Sequence, residues 1–153
     1  MEKHDFTEIK SVLAVADQLE ELASACFTLN QDYCDAITYD YDYKYWEDLE
    51  RDQQLSYIAA VYILYSKLEL LYPEQRKALD NNCIDKLAEE QHTAWVKAKQ
   101  AEGWSYDAVK DDELKTHPNM VAWKELSYQE KLKDILFVTT VLTHFDRIKD
   151  ISK

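Results

Sequence analysis

Residues 82–106 read Asn82-Cys-Ile-Asp-Lys-Leu-Ala-Glu-Glu-Gln-His92-Thr-Ala-Trp95-Val-Lys-Ala-Lys99-Gln-Ala-Glu102-Gly103-Trp104-Ser-Tyr106. Ile84, Leu87, Ala88, Gln91, Trp95 and Ala98 recur at intervals of three and four, which places them on one face of a helix. The run stops at Gly103, the only glycine in the chain. Glycine suits the left-handed residue that closes a helix, and Trp104 would then fold back over Ala98 and Lys99.

The scarcity of glycine extends the argument to the whole chain. Its 153 residues hold one glycine and two prolines. Sheet-rich folds need turn residues every few positions, and these are missing. The same shortage excludes a Gly-rich phosphate loop, a dinucleotide fingerprint and a nucleophile elbow. The expectation is one all-α domain, a compact bundle of four main helices.

Three further helices follow from the periodicity. The first is predicted from about Thr7 to Leu29, capped by Asp5 and Glu8, with Ile9, Val12, Leu13, Ala16, Leu19, Ala23, Cys26 and Phe27 buried. The second is predicted from about Asp48 to Leu71. Its apolar residues, Leu55, Ile58, Ala59, Val61, Tyr62, Leu64, Tyr65, Leu68 and Leu71, cover most of the circumference, as in a central helix. Pro73 suits the start of a short helix ending near Asp80. The last helix is predicted from a Ser127–Glu130 capping box to about Lys149, with Ile135, Val138, Thr139, Leu142 and Phe145 inward. Between the helices, Tyr33–Trp46 is expected to be a loop whose aromatic residues pack on them. The long stretch 104–126 has no period, and a loop of that length is usually functional. A degenerate repeat is also visible. Trp46, Leu49, Leu55, Ile58 and Val61 recur 77 positions later as Trp123, Leu126, Leu132, Ile135 and Val138.

Charge constrains the partners. The net charge is −12, with −10 in residues 1–80 and −2 in residues 81–153. Such a chain will not bind nucleic acid directly by neutralising phosphates. Its acidic N-terminal half, with the segment Tyr39–Trp46, could engage a protein partner or mimic nucleic acid. No apolar run approaches the roughly 20 residues of a membrane span. Met1–Asp5 has no apolar signal core, and Cys26, Cys34 and Cys83 read as reduced structural thiols, so a cytoplasmic setting is expected.

The bases and aromatics that could carry function gather in the C-terminal half. His92, Trp95 and Lys99 fall within two turns of one helix. Trp104, Tyr106, Lys110, Lys115 and His117 follow in the long loop. Indoles stack on flat rings, while lysine and histidine donate to phosphate or carboxylate. The candidate ligand is therefore small, flat and anionic. Metal-type spacing is absent among the scattered histidines and cysteines, and no acid–base pair stands out among 30 carboxylates. A cofactor-free, metal-free and non-catalytic protein is expected.

These residues also carry a resemblance. Trp95, Lys99, Gly103-Trp104-Ser105-Tyr106, Asp111-Asp112, Lys115, His117-Pro118, Leu126 and Glu130 resemble the pattern of the RyR domain, the repeat named after the ryanodine receptor. The likeness covers residues 83–148. It departs at Asp107, where glycine is usual, at Ala122-Trp123, where Pro-Tyr is usual, and at Asn119, where cysteine is usual. Upstream, Asn30, Tyr33-Cys34, Trp46, Gln54 and Ser56 are similar to the companion region of single-repeat phage and bacterial proteins. The resemblance implies a small helical, non-catalytic module. It also implies an association with adenine-nucleotide-like ligands and a sensing role in a bacterial or phage setting.

Overall fold

The computed structural model describes residues 6–70 and 79–151. The predicted Asp5–Glu8 cap, the core positions Ile9, Val12, Leu13 and Leu71, and the short helix at Pro73 fall outside what is described. The described chain is all-α apart from one tiny sheet. Its helices are α1 (Phe6–Ile37), α2 (Arg51–Glu69), α3 (Asn81–Ala101) and α4 (Tyr128–Ile151). Strands β1 (Ser105–Tyr106) and β2 (Thr116–His117) lie in the long connection after α3 and pair in parallel. The chain divides into two compact units, residues 1–78 with 139–153 and residues 79–138.

In the first unit, Leu19, Leu22, Ala23, Cys26 and Phe27 of α1 are buried, as are Val61, Leu64, Tyr65 and Leu68 of α2. The Tyr65 ring lies 4.8 Å from that of Phe145, near the end of α4. Ala16, expected inside, is exposed, and Leu22 takes up the burial instead. Helix α1 also runs eight residues past its predicted end at Leu29. Gln31 and Cys34 prolong the buried stripe, so the tertiary face outweighs the weak helix propensity of Asn30 and Asp32. Buried Gln31 is satisfied by the Lys44 amide, which donates to its Oε1 at 3.0 Å.

Tyr33–Ile37 is therefore helix, and the loop begins at Thr38. Its tyrosines divide. Tyr41 and Tyr43 are half-buried, whereas Tyr39 and Tyr45 face solvent. The Tyr43 hydroxyl donates to Asp32 Oδ1 at 2.7 Å, and that bond holds the phenol up at about 12. Trp46 then tilts against Phe27, with ring centres 5.9 Å apart, and Tyr57 of α2 closes the cluster at 5.2 Å from Phe27.

Helix α2 is not covered all round. Leu55, Tyr62 and Ile63 are 47%, 56% and 55% exposed, and Ala59 is exposed beside them. One face packs and the opposite apolar stripe is left in solvent. Its N-terminus carries a reciprocal capping box between Glu50 and Gln53.

In the second unit, Asp80 caps α3 by accepting from the Cys83 amide at 2.9 Å. Ala88 and His92 are buried and Ile84, Leu87, Gln91 and Trp95 are half-buried, as their period requires. Ala98, expected inside, is exposed, because the returning chain covers Lys99 instead. On α4, Glu130 N donates to Ser127 Oγ at 3.2 Å, which is the predicted cap.

The two units share a local plan. Trp46–Asp48 and Trp123–Glu125 are both 3₁₀ turns, each ending in an extended leucine, Leu49 or Leu126. Each leucine amide donates back to its tryptophan carbonyl, at 3.2 and 3.1 Å. Each turn leads straight into a long helix, as the 77-residue echo suggests.

Candidate ligand site

The site grows from the end of α3. Gly103 adopts φ +91°, where an L side chain would be strained. Its amide donates to Gln100 O at 3.0 Å and the Trp104 amide donates to Lys99 O at 2.9 Å. This is the Schellman arrangement. It turns the half-buried Trp104 ring back beneath Lys99, whose Nζ stands 5.0 Å from the ring centre. Lys99 also pairs with Glu102 at 3.6 Å.

The mini-sheet follows at once. In parallel register, Tyr106 stands beside His117 and Ser105 beside Thr116. Thr116 also bridges to Asp111 on its other side, each amide donating to the other's carbonyl at 3.0 Å. Asp111 Oδ1 accepts the amides of Glu113 and Leu114. That carboxylate shapes the turn between the strands. Lys115 sits at φ +54° and donates through Nζ to Glu102 O at 2.9 Å. It ties the excursion to the end of α3 and satisfies a helix-terminal carbonyl.

Beneath the sheet lies a row of rings. Trp95 meets the edge of His117 at 5.0 Å and stacks on His92 at 5.9 Å, 25° from parallel. Trp123 also tilts against His92, at 6.1 Å, and carries Lys131 5.5 Å above its ring. His92 is only 4% exposed, and its Nε2 donates to Val121 O at 2.7 Å. Its Nδ1 lies 3.9 Å from Asp134, too far for a hydrogen bond. Burial dominates there and pushes the Asp134 carboxyl up to about 7.

Among the described residues, His117 is the base moved furthest from its ordinary value. The Asn119 amide donates to its Nδ1 at 3.0 Å, so the neutral ring carries its proton on Nε2. Burial and the positive fields of Lys110, Lys133 and Lys99 push its pKa down to about 4, against an opposing field from Glu130. Glu130 accepts from Asn119 Nδ2 at 2.7 Å and pairs with Lys133 at 2.6 Å. Those contacts hold its carboxyl below the usual range despite burial.

The eight sequence candidates thus separate by role. Trp95, Lys99, Trp104, Lys110 and His117 belong to one corner of the second unit, with Tyr106 beside His117 and 58% exposed. Lys115 is engaged with the α3 terminus, and His92 is interior, reaching the corner only through the Trp95 ring. Sequence reasoning did not single out Lys133 and Asn119. Lys133 is signalled by its three-residue spacing from Glu130, and Asn119 by following His117 by two and by standing where the family pattern has cysteine. Among the described residues, no group of three or more His, Cys, Asp or Glu could hold a metal ion. Among them, no helix is long and apolar enough to cross a membrane.

A glycine-closed helix, a parallel two-residue sheet and a tryptophan 3₁₀ turn leading to a second helix define a small helical module with a lysine-lined aromatic corner. Residues 76–147 match the family model of the RyR domain, so the chain carries a domain of the RyR family. The match takes in the helix end at Gly103, both strands, His117 and the Trp123 turn.

Proposed function

We propose that this RyR domain binds a small, flat, nucleotide-like anion and does not turn it over, acting as a sensor or sequestering protein. The carrying observation is Lys99. It stands over the half-buried Trp104 ring, and its charge also acts on His117, which touches Trp95. Half-buried aromatic surface and cationic donors thus meet around one side chain, the combination a nucleotide requires. The upstream likeness to single-repeat proteins supports a bacterial or phage setting. Calorimetry of the full chain against mono-, di-, tri- and cyclic nucleotides tests the reading. A saturable heat that is lost in W104A supports it, and a flat response to every nucleotide overturns it. Mass analysis of the incubated nucleotide tests the non-catalytic part, and a depleted nucleotide overturns that part.

A second reading concerns the acidic loop, where Tyr39 is 94% exposed beside Asp40 at φ +53°. A protein partner bound there would be lost on joint charge reversal of Asp40, Asp42 and Glu47. A measured partner indifferent to that change would overturn the reading.

A further inference from the structure

His117 has an unspent donor. Its Nδ1 is occupied by the Asn119 amide, and among the described residues its Nε2–H meets no hydrogen-bond acceptor. The ring is half-buried, so water does not fully replace that partner. The positive fields of three lysines reach it: Lys133 on α4, Lys99, one turn after Trp95 on α3, and Lys110, next to the Asp111 that bridges to Thr116. One carboxylate, Glu130, faces it from α4, already bound to Lys133 and Asn119. Their ion pairs are long, Lys110 to exposed Asp112 at 3.7 Å and Lys99, which also lies over the Trp104 ring, to exposed Glu102 at 3.6 Å. Pairs of that kind contribute little and are readily exchanged.

From the free Nε2–H and the loosely held Lys99 and Lys110, we propose that the His117 corner seats a phosphate monoester in its dianionic form, in preference to a phosphodiester. This deepens the reading above and rests on it. A monoester brings a charge of about −1.5 to −2 near pH 7 and three acceptor oxygens. Those oxygens can take the neutral Nε2–H and two ammonium groups together. A diester has a single charge and only two free oxygens, so it leaves one cation or the imidazole donor unmatched. The neutral imidazole suits this task, because it adds a directed hydrogen bond without a further charge. The depressed titration of His117 agrees, since burial first and the fields of Lys110, Lys133 and Lys99 after it keep the ring neutral.

The test uses the full chain with ¹⁵N-labelled histidine, titrated from pH 3.5 to 8 by NMR. The probes are 5′-AMP, 3′,5′-cyclic AMP, adenosine and inorganic phosphate. Without ligand, His117 should show the Nε2–H tautomer and a midpoint near 4. With AMP at saturation, the midpoint should rise by about one unit or more, as a new anion favours the imidazolium. AMP should bind roughly tenfold or more tightly than cyclic AMP, a difference that K110A reduces and that corresponds to about 1.4 kcal/mol. Inorganic phosphate should move the same resonance, whereas adenosine should not. If AMP and cyclic AMP bind equally and His117 keeps its midpoint, this inference falls while nucleotide binding stands. If no probe binds, this inference falls, and nucleotide binding falls with it when the calorimetric panel is also flat.

Discussion

His92 Nε2 lies 2.7 Å from the carbonyl oxygen of Val121, 29 residues further along the chain. This bond pins the segment before the Trp123 turn to the middle of α3, inside the second unit. It leaves no polar group of the imidazole for a ligand on that side. H92A should remove both the bond and the ring that contacts Trp95 and Trp123. The expected loss is about 2–4 kcal/mol in urea unfolding. H92N, with a donor but less volume, should recover part of it. A loss below about 0.5 kcal/mol would show that the pin does not matter.

The closure of α3 separates backbone strain from capping. A side chain at Gly103 would find space, with Lys115 Cδ 3.9 Å from the added Cβ. G103A should therefore cost about 1 kcal/mol, from the positive φ rather than from collision. K115A loses the bond to Glu102 O yet keeps a strained backbone. K115G loses the same bond but relieves the strain, so it should be more stable than K115A by about 1 kcal/mol. Equal unfolding midpoints for the two would contradict this account.

Two half-buried groups oppose each other in their response to pH. Asp134 is pushed up to about 7, so the folded chain holds its proton more tightly than the unfolded chain. Its contribution is full below about pH 4 and is lost as pH rises through about 7. His117 is pushed down to about 4, so its contribution is full above its ordinary value and is lost as pH falls. Between about pH 4 and 6.5 the two partly cancel. D134N removes one of them. The stability of wild type and D134N should diverge by roughly 1.4 kcal/mol per pH unit between about pH 4 and 7, the wild type falling relative to the variant. Chemical denaturation at half-unit pH steps measures it, and parallel curves would refute it.

The two faces of α2 should respond differently. L68A empties a fully buried position and should cost about 2–5 kcal/mol. Y62S and I63S replace exposed side chains and should stay within about 0.5 kcal/mol of wild type. A large loss at Ile63 would mean that the stripe is covered in solution.

The helices were legible because burial follows their period. Val61, Leu64, Tyr65 and Leu68 are inside, and so are Val138 and Phe145. The stripe on α2 shows the limit of that signal. Periodicity reveals how many apolar faces a helix has, and not which of them finds a partner. The extension of α1 to Ile37 was hidden because alternating tyrosines suggested extended chain, while Gln31 and Cys34 quietly continued the helical face. In the candidate site, the aromatic and basic residue types were legible from composition and spacing. The difference between Lys110 and Lys115 was not. It depends on where each ammonium points, and that is set by the turn Asp111 builds and by the positive φ at Lys115.

The parallel pairing of Tyr106 with His117 has an evolutionary corollary. Residues 107–115 leave and re-enter the domain through two adjacent positions whose spacing the pairing sets. Insertions or deletions between them would redraw the rim while the imidazole and the phenol kept their separation. Relatives could thus vary a few rim residues while the pairing beneath them is inherited unchanged.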